Sequence, residues 1–322
     1  MSLRNPTIIS SVTSAQLNGA IGVFVVGNYA YVASLVADSL TIINISNPSS
    51  PVQVGSITTP QLNRASGVFV VGNYAYVVGG NDDPFTNGFF VVVDISNPAS
   101  PAQVGTLSNS NLRDSQGVFI LGGYAYVASN ISRTLTIIDI SNPAAPTQTG
   151  VVTDALLNGA NSVFVKDNYA YVCSSVANKL SIVDVSNPSS PTIVSNITNG
   201  AAGVFVVGNY AYILSIYDDS FNVIDISNPI SPNQVATLTV DRSSYIFIQG
   251  NYAYVTSSTD NSLIVIDISN PLNPFRVGYI SNLTIDGARG VFTVGNYTYI
   301  AAFDSDRFVI LNTSKISPVF EY

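Results

Sequence analysis

Short apolar runs recur along this chain and are separated by turn residues. The stretch from Gly67 to Gly105 reads GVFVVGNYAYVVGG, then a loop, then FFVVVDISNPASPAQVG. Its main runs are five to seven residues long, rich in Val, Ile, Phe and Tyr, and bounded by Gly, Asn and Pro, which is typical of β-strands. Proline lacks a backbone N–H and restricts the residue before it, so the Ser-Asn-Pro segment ends a strand. The unit therefore predicts four strands joined by short turns.

The inner runs of the unit are apolar at nearly every position. A sheet with one solvated face would alternate apolar and polar residues, whereas a sheet covered on both faces would not. We therefore expect each four-stranded sheet to be packed between two copies of itself.

A tyrosine after the first turn marks each copy of the unit. It occurs at Tyr29, Tyr74, Tyr124, Tyr169, Tyr210, Tyr252 and Tyr297. A period of 41 to 50 residues with four strands per unit is the pattern of a radial propeller. The sequence thus predicts an all-β protein, a seven-bladed β-propeller that forms a single domain over residues 1–322. The predicted blades span residues 22–58, 67–107, 117–152, 162–197, 203–238, 245–280, and 290–311 together with 6–13.

The two ends of the chain suggest how the ring closes. Residues 4–13 resemble the fourth run of other units, and Pro6 precedes Gly22 by the same 16 residues that separate Pro51 from Gly67. The last unit has only its first three runs. We expect the N-terminal strand to complete the last blade, which would remove open sheet edges. The alternative is that residues 319–322 form that strand.

Two further residue types recur once per unit. A phenylalanine lies in each first run, and we expect these side chains to pack between adjacent inner strands: Phe24, Phe69, Phe119, Phe164, Phe205, Phe247 and Phe292. An aspartate ends five of the third runs, with Asn44 in its place in the first unit: Asp94, Asp139, Asp184, Asp225 and Asp267. Such side chains accept turn N–H groups readily, so a structural role is expected for them.

The third runs share a sequence motif. Residues 135–139, 180–184 and 263–267 read LTIID, LSIVD and LIVID, and each follows a Tyr-Ala-Tyr-Val run. With these motifs, nearly the whole chain resembles the LVIVD-repeat family, and it is also similar to YVTN-type propellers. The last unit departs from the pattern, because Phe308 to Asn312 lacks both the Asp and the Ser-Asn-Pro. The resemblance implies a β-propeller of a kind often found in surface or extracellular proteins of microbes, and it implies no catalytic residues.

Composition limits the partners. The net charge is −8 and the pI about 4.2, which argues against nucleic acid, because phosphate binding needs clustered Lys and Arg. Mean hydropathy is +0.34, yet no apolar run approaches the roughly 18 residues that span a bilayer, so no membrane insertion is expected. The N-terminus lacks a secretory apolar core, and the compartment stays open. We expect a monomer.

Metal chemistry has few candidate ligands. The chain has no His and a single Cys173, so zinc or copper sites are not expected, and Cys173 is interpreted as a core residue. No cofactor is predicted. Calcium is an alternative, because Asp82-Asp83, Asp218-Asp219 and Asp304-x-Asp306 offer oxygen ligands. None of them has a complete loop motif.

The candidate site lies on the face that varies between units. The Gly-Asn and Ser-Asn-Pro turns are nearly invariant, whereas the loops on the opposite face differ and hold seven of the eleven basic residues. Binding residues often lie in loops on a rigid scaffold. The positions before each inner strand predict a ligand-binding set at the channel mouth: Arg64, Arg113, Asp114, Asp241, Arg242, Asp286 and Arg289. The alternative is that charge gathers there because these loops are the most solvated surface.

Three functions are compatible with this pattern. The first is a non-catalytic recognition or scaffold propeller that binds a protein or glycan partner through the variable face. The second is a hydrolase or lyase with Asp114, Asp241 or Asp286 as acid and base, which would need carboxylates with pKa values driven apart. The third is a structural component of a cell or particle surface.

Overall fold

Twenty-eight strands make up the computed structural model, which describes residues 5–80, 86–199 and 202–314. The chain begins with β1 (Thr7–Thr13). Blades one and two contain β2 (Ala20–Val26), β3 (Tyr29–Ser34), β4 (Ser39–Asn44), β5 (Val52–Thr58), β6 (Gly67–Val71), β7 (Tyr74–Gly80), β8 (Gly88–Asp94) and β9 (Ala102–Asn109). Blades three and four contain β10 (Ser115–Leu121), β11 (Tyr124–Ser129), β12 (Thr134–Asp139), β13 (Thr147–Thr153), β14 (Ala160–Lys166), β15 (Tyr169–Ser174), β16 (Lys179–Asp184) and β17 (Thr192–Thr198).

The remaining strands belong to blades five to seven. They are β18 (Val204–Val207), β19 (Tyr210–Ser215), β20 (Ser220–Asp225), β21 (Asn233–Thr239), β22 (Ser243–Gln249), β23 (Tyr252–Ser257), β24 (Ser262–Asp267), β25 (Phe275–Ser281), β26 (Ala288–Val294), β27 (Tyr297–Ala302) and β28 (Arg307–Asn312). Short 3-10 turns precede five of the inner strands, at Ala15–Leu17, Pro60–Leu62, Ser110–Leu112, Ala155–Leu157 and Leu283–Ile285.

The strands form seven antiparallel sheets of four, and in the first six blades they lie in chain order. The first strands contact one another around a common axis, so they are the innermost strands and the fourth strands form the rim. The predicted seven-bladed propeller is confirmed. The second and third strands are almost wholly buried between neighbouring blades, which explains why their residues are apolar at nearly every position.

The ring closes through the N-terminal strand, as expected. β1 pairs antiparallel with β28, with Thr7 opposite Asn312 and Thr13 opposite Arg307. The last blade therefore consists of β26, β27, β28 and β1. The alternative strand at residues 319–322 falls outside the described residues.

The seven phenylalanines pack against each other around the axis. Every one of them contacts the phenylalanine of the next blade, and the centroid distances run from 4.2 Å for Phe247–Phe292 to 5.3 Å for Phe205–Phe247. The contact between Phe24 and Phe292 completes the circle. The prediction that these residues pack between adjacent inner strands is therefore confirmed, and together they form a continuous aromatic ring.

The recurring aspartates bond the turns that follow them. In blade four, Oδ1 of Asp184 accepts the backbone N–H of Ser186 at 2.8 Å, and Asn44 does the same for Ser46 at 2.9 Å in blade one. Hydrogen bonds from the next serine lower the pKa of Asp94, Asp139, Asp184 and Asp225. These carboxylates lie on the face opposite to the variable loops, one per blade, so their structural interpretation is confirmed. Cys173 is fully buried, as expected, and burial raises the pKa of its thiol.

Candidate functional site

A central cavity of about 330 Å³ opens among the starts of the seven inner strands. Residues from all seven blades line it, and Ile216 and Ser258 of two second-to-third-strand loops contribute to its wall. Since those loops belong to the variable face, the cavity lies on that side. In six of the seven blades the valine or isoleucine that precedes the phenylalanine also lines it, so the aromatic ring follows next along the inner strands.

A β-bulge at the start of most inner strands shapes the cavity wall. In blade three, Ser115 pairs with Ser129 and Gly117 with Ala128, which leaves Gln116 as an extra residue. The same shift in register occurs in blades one, four, six and seven. Bulges redirect side chains and are common beside functional sites. Gln116, Asn161, Ser244 and Arg289 occupy this position, and all four line the cavity.

The bulge position is where the repeats differ most. Directly before the glycine of each inner strand, or the residue that replaces it, the chain has Ile21, Ser66, Gln116, Asn161, Ala202, Ser244 and Arg289. Directly after that residue it has six valines and one isoleucine, and then seven phenylalanines. The inner strands thus combine a nearly invariant apolar segment with one position that varies and is polar in five of the seven blades.

Two blades also depart from the repeat at the glycine itself. In blade one, a Cβ on Gly22 would overlap the carbonyl oxygen of Ser66 in the next blade. Ser162 and Tyr245 stand at this position in blades four and six, and both line the cavity. The hydroxyl of Ser162 accepts the N–H of Val204 at 3.3 Å. These replacements put two further hydroxyl groups into the cavity wall.

Arg289 is held by contacts on several sides. Its guanidinium lies 4.2 Å from the centroid of the Phe303 ring, which is a cation–π distance. It hydrogen-bonds Tyr245. Its carbonyl oxygen accepts the hydroxyl of Thr256. Burial raises the pKa of Tyr245, and the charge and hydrogen bond of Arg289 partly offset that increase. The phenol is therefore neutral at pH 7 and can accept from Arg289 while donating its own proton.

Of the seven residues predicted at the channel mouth, Arg289 is the one that lines this cavity within the described part of the chain. Arg64 and Asp114 lie three residues before the inner-strand glycine and have φ values of +52° and +50°. Gly19, Gly159 and Gly287 share that left-handed conformation. The frequent glycine there reflects a backbone turn, which places these side chains outside the cavity wall.

The acidic members of the predicted set have partners away from the axis or beside it. Asp241 pairs with Arg276 on the outer strand β25 at 3.5 Å. The carboxylate of Asp114 accepts from Asn130 at 2.9 Å and from Gln116 at 3.2 Å, and so it positions the Gln116 amide at the cavity.

Backbone contacts fix three other members of the predicted set. The N–H of Arg64 donates to Asp38 of the preceding blade at 2.7 Å. The carbonyl oxygens of Arg242 and Asp286 accept from Ser257 and the N–H of Asp304 at 3.0 and 3.2 Å. Arg113 is half-buried after its 3-10 turn. Ligand binding by these residues stays a prediction.

Sequence reasoning passed over the polar residues of the cavity wall. These are Ser66, Gln116, Asn161, Ser162, Ser244, Tyr245 and Ser258. The signal that marks most of them was present in the sequence, because four of them occupy the variable position directly before the inner-strand glycine and two others replace that glycine. Their orientation depends on the bulge, which the apolar pattern does not show.

The described residues contain no group of three or more His, Cys, Asp or Glu arranged to hold a metal ion. Asp306 instead accepts the N–H of Gly19 at 2.9 Å, and Asp218 accepts the Ser220 hydroxyl at 2.9 Å. The Asp82-Asp83 pair lies outside the described residues. In the same described part of the chain, no helix is long and apolar enough to cross a membrane.

Comparison with known families gives one match. The model of the LVIVD repeat matches seven segments, residues 19–59, 64–108, 112–154, 159–199, 200–240, 242–281 and 287–318. These segments correspond to the seven blades. No curated protein matches the chain.

Solved structures similar to this chain share its fold at low identity. Hydrazine synthase of Kuenenia stuttgartiensis is 14% identical with a TM-score of 0.73, over 94% of this chain and 97% of that one. A putative 6-phosphogluconolactonase of Bacteroides fragilis is 12% identical with a TM-score of 0.70, over 91% and 89%. Raptor of Chaetomium thermophilum is 11% identical with a TM-score of 0.73, over 96% of this chain and 29% of that one. These likenesses concern the fold alone.

Proposed function

Because the chain belongs to the LVIVD-repeat family and folds as a seven-bladed propeller, we propose that it is a non-catalytic recognition module. It binds a carbohydrate or protein partner through the central cavity and the variable loops around it. The observation that carries this proposal is the position directly before the inner-strand glycine, where near-identical blades line the cavity with Ser66, Gln116, Asn161, Ala202, Ser244 and Arg289. Structural packing alone would not require such differences, because the apolar segment that follows is nearly invariant.

The chemistry of the cavity favours carbohydrate over a protein surface. Its lining includes serine and tyrosine residues together with Gln116 and Asn161, so hydroxyl and amide groups surround one small space. Ligand sites commonly combine an apolar surface with a few polar groups that fix orientation, and their volumes begin near ~300 Å³. A sugar has hydroxyls on several sides and can bond several blades at once. The outer loops, including Arg64, Arg113 and Arg242, would contact the rest of a larger partner.

A hydrolase or lyase at the cavity mouth is the alternative. It would use two of Asp114, Asp241 and Asp286 as acid and base, and such catalysis needs carboxylates poised on one substrate. The partners of Asp114 and Asp241 hold these carboxylates at different places, beside Gln116 and beside Arg276. This favours binding. Turnover of a glycoside or lactone that is abolished by D114N would support the enzyme instead.

A matched pair of loop variants tests the proposal. Ser258 lines the cavity, and its exposed neighbour Thr259 does not. The variant S258W should fill the cavity mouth and abolish binding on a glycan array and in pulldown experiments, whereas T259W should bind as the unmodified protein does. Circular dichroism and the unfolding midpoint would show that both variants are folded.

Two results would contradict the proposal. One is a partner footprint, from cross-linking or hydrogen exchange, that lies wholly on the face of the Gly-Asn turns. The other is equal binding by S258W and T259W. A chain that forms ordered assemblies in light scattering, with both faces occupied, would favour the structural surface component.

A further inference from the structure

Arg289 is the only charged side chain among the described residues that line the cavity. The chain as a whole carries a net charge of −8, so its general field repels anions. Arg289 places a local positive charge in the wall of the cavity. A positive group in a concave site that excludes water acts more strongly on an anion than one on an open surface.

The guanidinium of Arg289 is positioned but not neutralised. Phe303 supports one face of it and Tyr245 accepts one hydrogen bond. Its Nε is buried and donates to none of the described residues. The ion pairs found among those residues, Lys166 with Asp167 and Arg276 with Asp241, do not include it. Because no acid among the described residues pairs with this guanidinium, its charge is available to an anionic ligand in the cavity.

The ligand charge that fits is a single carboxylate. One guanidinium offers a planar pair of donors that matches a carboxylate, and the Tyr245 hydroxyl can add a third hydrogen bond. A phosphate dianion would call for a second cation, and the described wall of the cavity has none. Ser244 of the adjoining blade six and Gln116 of blade three also line the cavity and offer partners for neutral hydroxyls.

We propose that the cavity binds an acidic sugar of the uronic type, with its carboxylate on Arg289 and Tyr245 and its hydroxyls on the polar wall. This inference rests on the proposed recognition function, because both concern the same cavity. It adds the charge and the class of the ligand, and it assigns the specificity to one residue of blade seven.

Titration calorimetry with simple sugars tests the inference. The probes are D-glucuronate and D-galacturonate, with D-glucose and D-galactose as their neutral counterparts. Acetate supplies the carboxylate without the sugar, and D-glucose 6-phosphate supplies a phosphate in its place. We expect at least one uronate to bind about ten- to hundredfold more tightly than its neutral counterpart, which is the value of a charge-assisted hydrogen bond pair. Acetate should bind more weakly than the uronate.

Three variants assign the charge to its residue. R289Q should lose about ten- to hundredfold in uronate affinity while leaving the binding of the neutral sugar unchanged. R289K keeps the charge without the planar donor pair and should be intermediate. K166Q removes a positive charge at the end of β14, on the opposite face and away from the cavity, and it should bind as the unmodified protein does.

The outcomes separate this inference from the proposed function. Neutral sugars that bind as well as uronates, or equal binding by R289Q, would overturn the acidic ligand and leave the recognition function standing. Tighter binding of glucose 6-phosphate than of glucuronate would overturn the carboxylate assignment. Should no sugar bind, and S258W capture the same partners as T259W, both proposals would fail together.

Discussion

The rings of Phe24 and Phe292 lie 4.9 Å apart, centroid to centroid, although they belong to the first and the last blade. Their contact completes the aromatic ring at the axis, while the pairing of β1 with β28 completes the last sheet at the rim. The propeller is therefore closed both near its axis and at its rim, by two different kinds of interaction. One of them uses side chains and the other uses backbone hydrogen bonds.

The aromatic ring should contribute measurably to stability. Phe164 contacts Phe119 at 4.6 Å and Phe205 at 4.8 Å. F164L keeps most of the apolar area but loses two aromatic pairs, so we expect the free energy of unfolding to fall by about 1–3 kcal/mol. Urea denaturation measures this free energy of unfolding. F275L alters an exposed residue on an outer strand and should change it by less than about 0.5 kcal/mol. Equal losses in the two variants would contradict a special role for the ring.

Removal of β1 should open the last blade. A chain that lacks residues 1–13 exposes the unpaired edge of β28 and loses the apolar contacts of Ile9 and Val12. Exposed edges promote association, so we expect a lower melting temperature and oligomers in light scattering. A chain that lacks only residues 1–5 retains β1 and should behave as the full chain. Addition of a synthetic peptide of residues 5–14 should restore the monomer, and a deletion variant that is already monomeric and equally stable would refute the closure.

The turn aspartates should make stability depend on acid pH. Hydrogen bonds from the following serines lower the pKa of Asp94, Asp139, Asp184 and Asp225 in the folded state. Their contribution is complete above the unfolded pKa of about 4 and is lost as the pH falls through the lower folded values. Unfolding midpoints recorded from pH 7 to pH 2 should show this loss.

Asparagine at the same positions should flatten that acid dependence. Asn44 and Asn312 already accept the N–H of the following serine at 2.9 and 2.8 Å. The fourfold Asp→Asn variant should therefore match the unmodified protein at pH 7 and lose less stability below about pH 4. If the variant lost as much stability below about pH 4 as the unmodified protein, other titratable groups would be responsible for the acid dependence.

The inner-strand glycines should tolerate a side chain unequally. A Cβ on Gly22 would overlap the carbonyl oxygen of Ser66, whereas one on Gly203 would lie 2.9 Å from that of Ser244. G22A should cost about 1–3 kcal/mol of unfolding free energy, as overpacking does, and G203A should cost less. Chemical denaturation of both variants checks the order. A larger loss in G203A would contradict the close approach of blades one and two.

Much of the fold was predictable from local pattern. The tyrosine period gave the number of blades, and the Gly-Asn and Ser-Asn-Pro turns gave most strand ends, because each turn has its own residue requirements. The starts of five inner strands were less accessible. They begin two residues before the predicted positions 22, 117, 162, 245 and 290.

The bulge explains this difference and also the incomplete prediction of the site. An extra residue in a strand does not alter the pattern of apolar residues around it. Gln116 and Asn161 were therefore interpreted as loop residues before a strand. Arg64 and Asp114 looked like a ring at the mouth because they vary between blades. Their positive φ values show that the position is a turn. Conformation, which the pattern does not contain, decides which variable residue faces the axis.

The bulges divide the molecule into a part that must stay constant and a part that is free to change. Four of the five bulge residues, Gln116, Asn161, Ser244 and Arg289, line the cavity, so an exchange there changes the cavity wall more than the packing of the sheets. Four such positions around one cavity allow selectivity to be changed one residue at a time, and a library randomised at these positions would yield receptors that share a single framework.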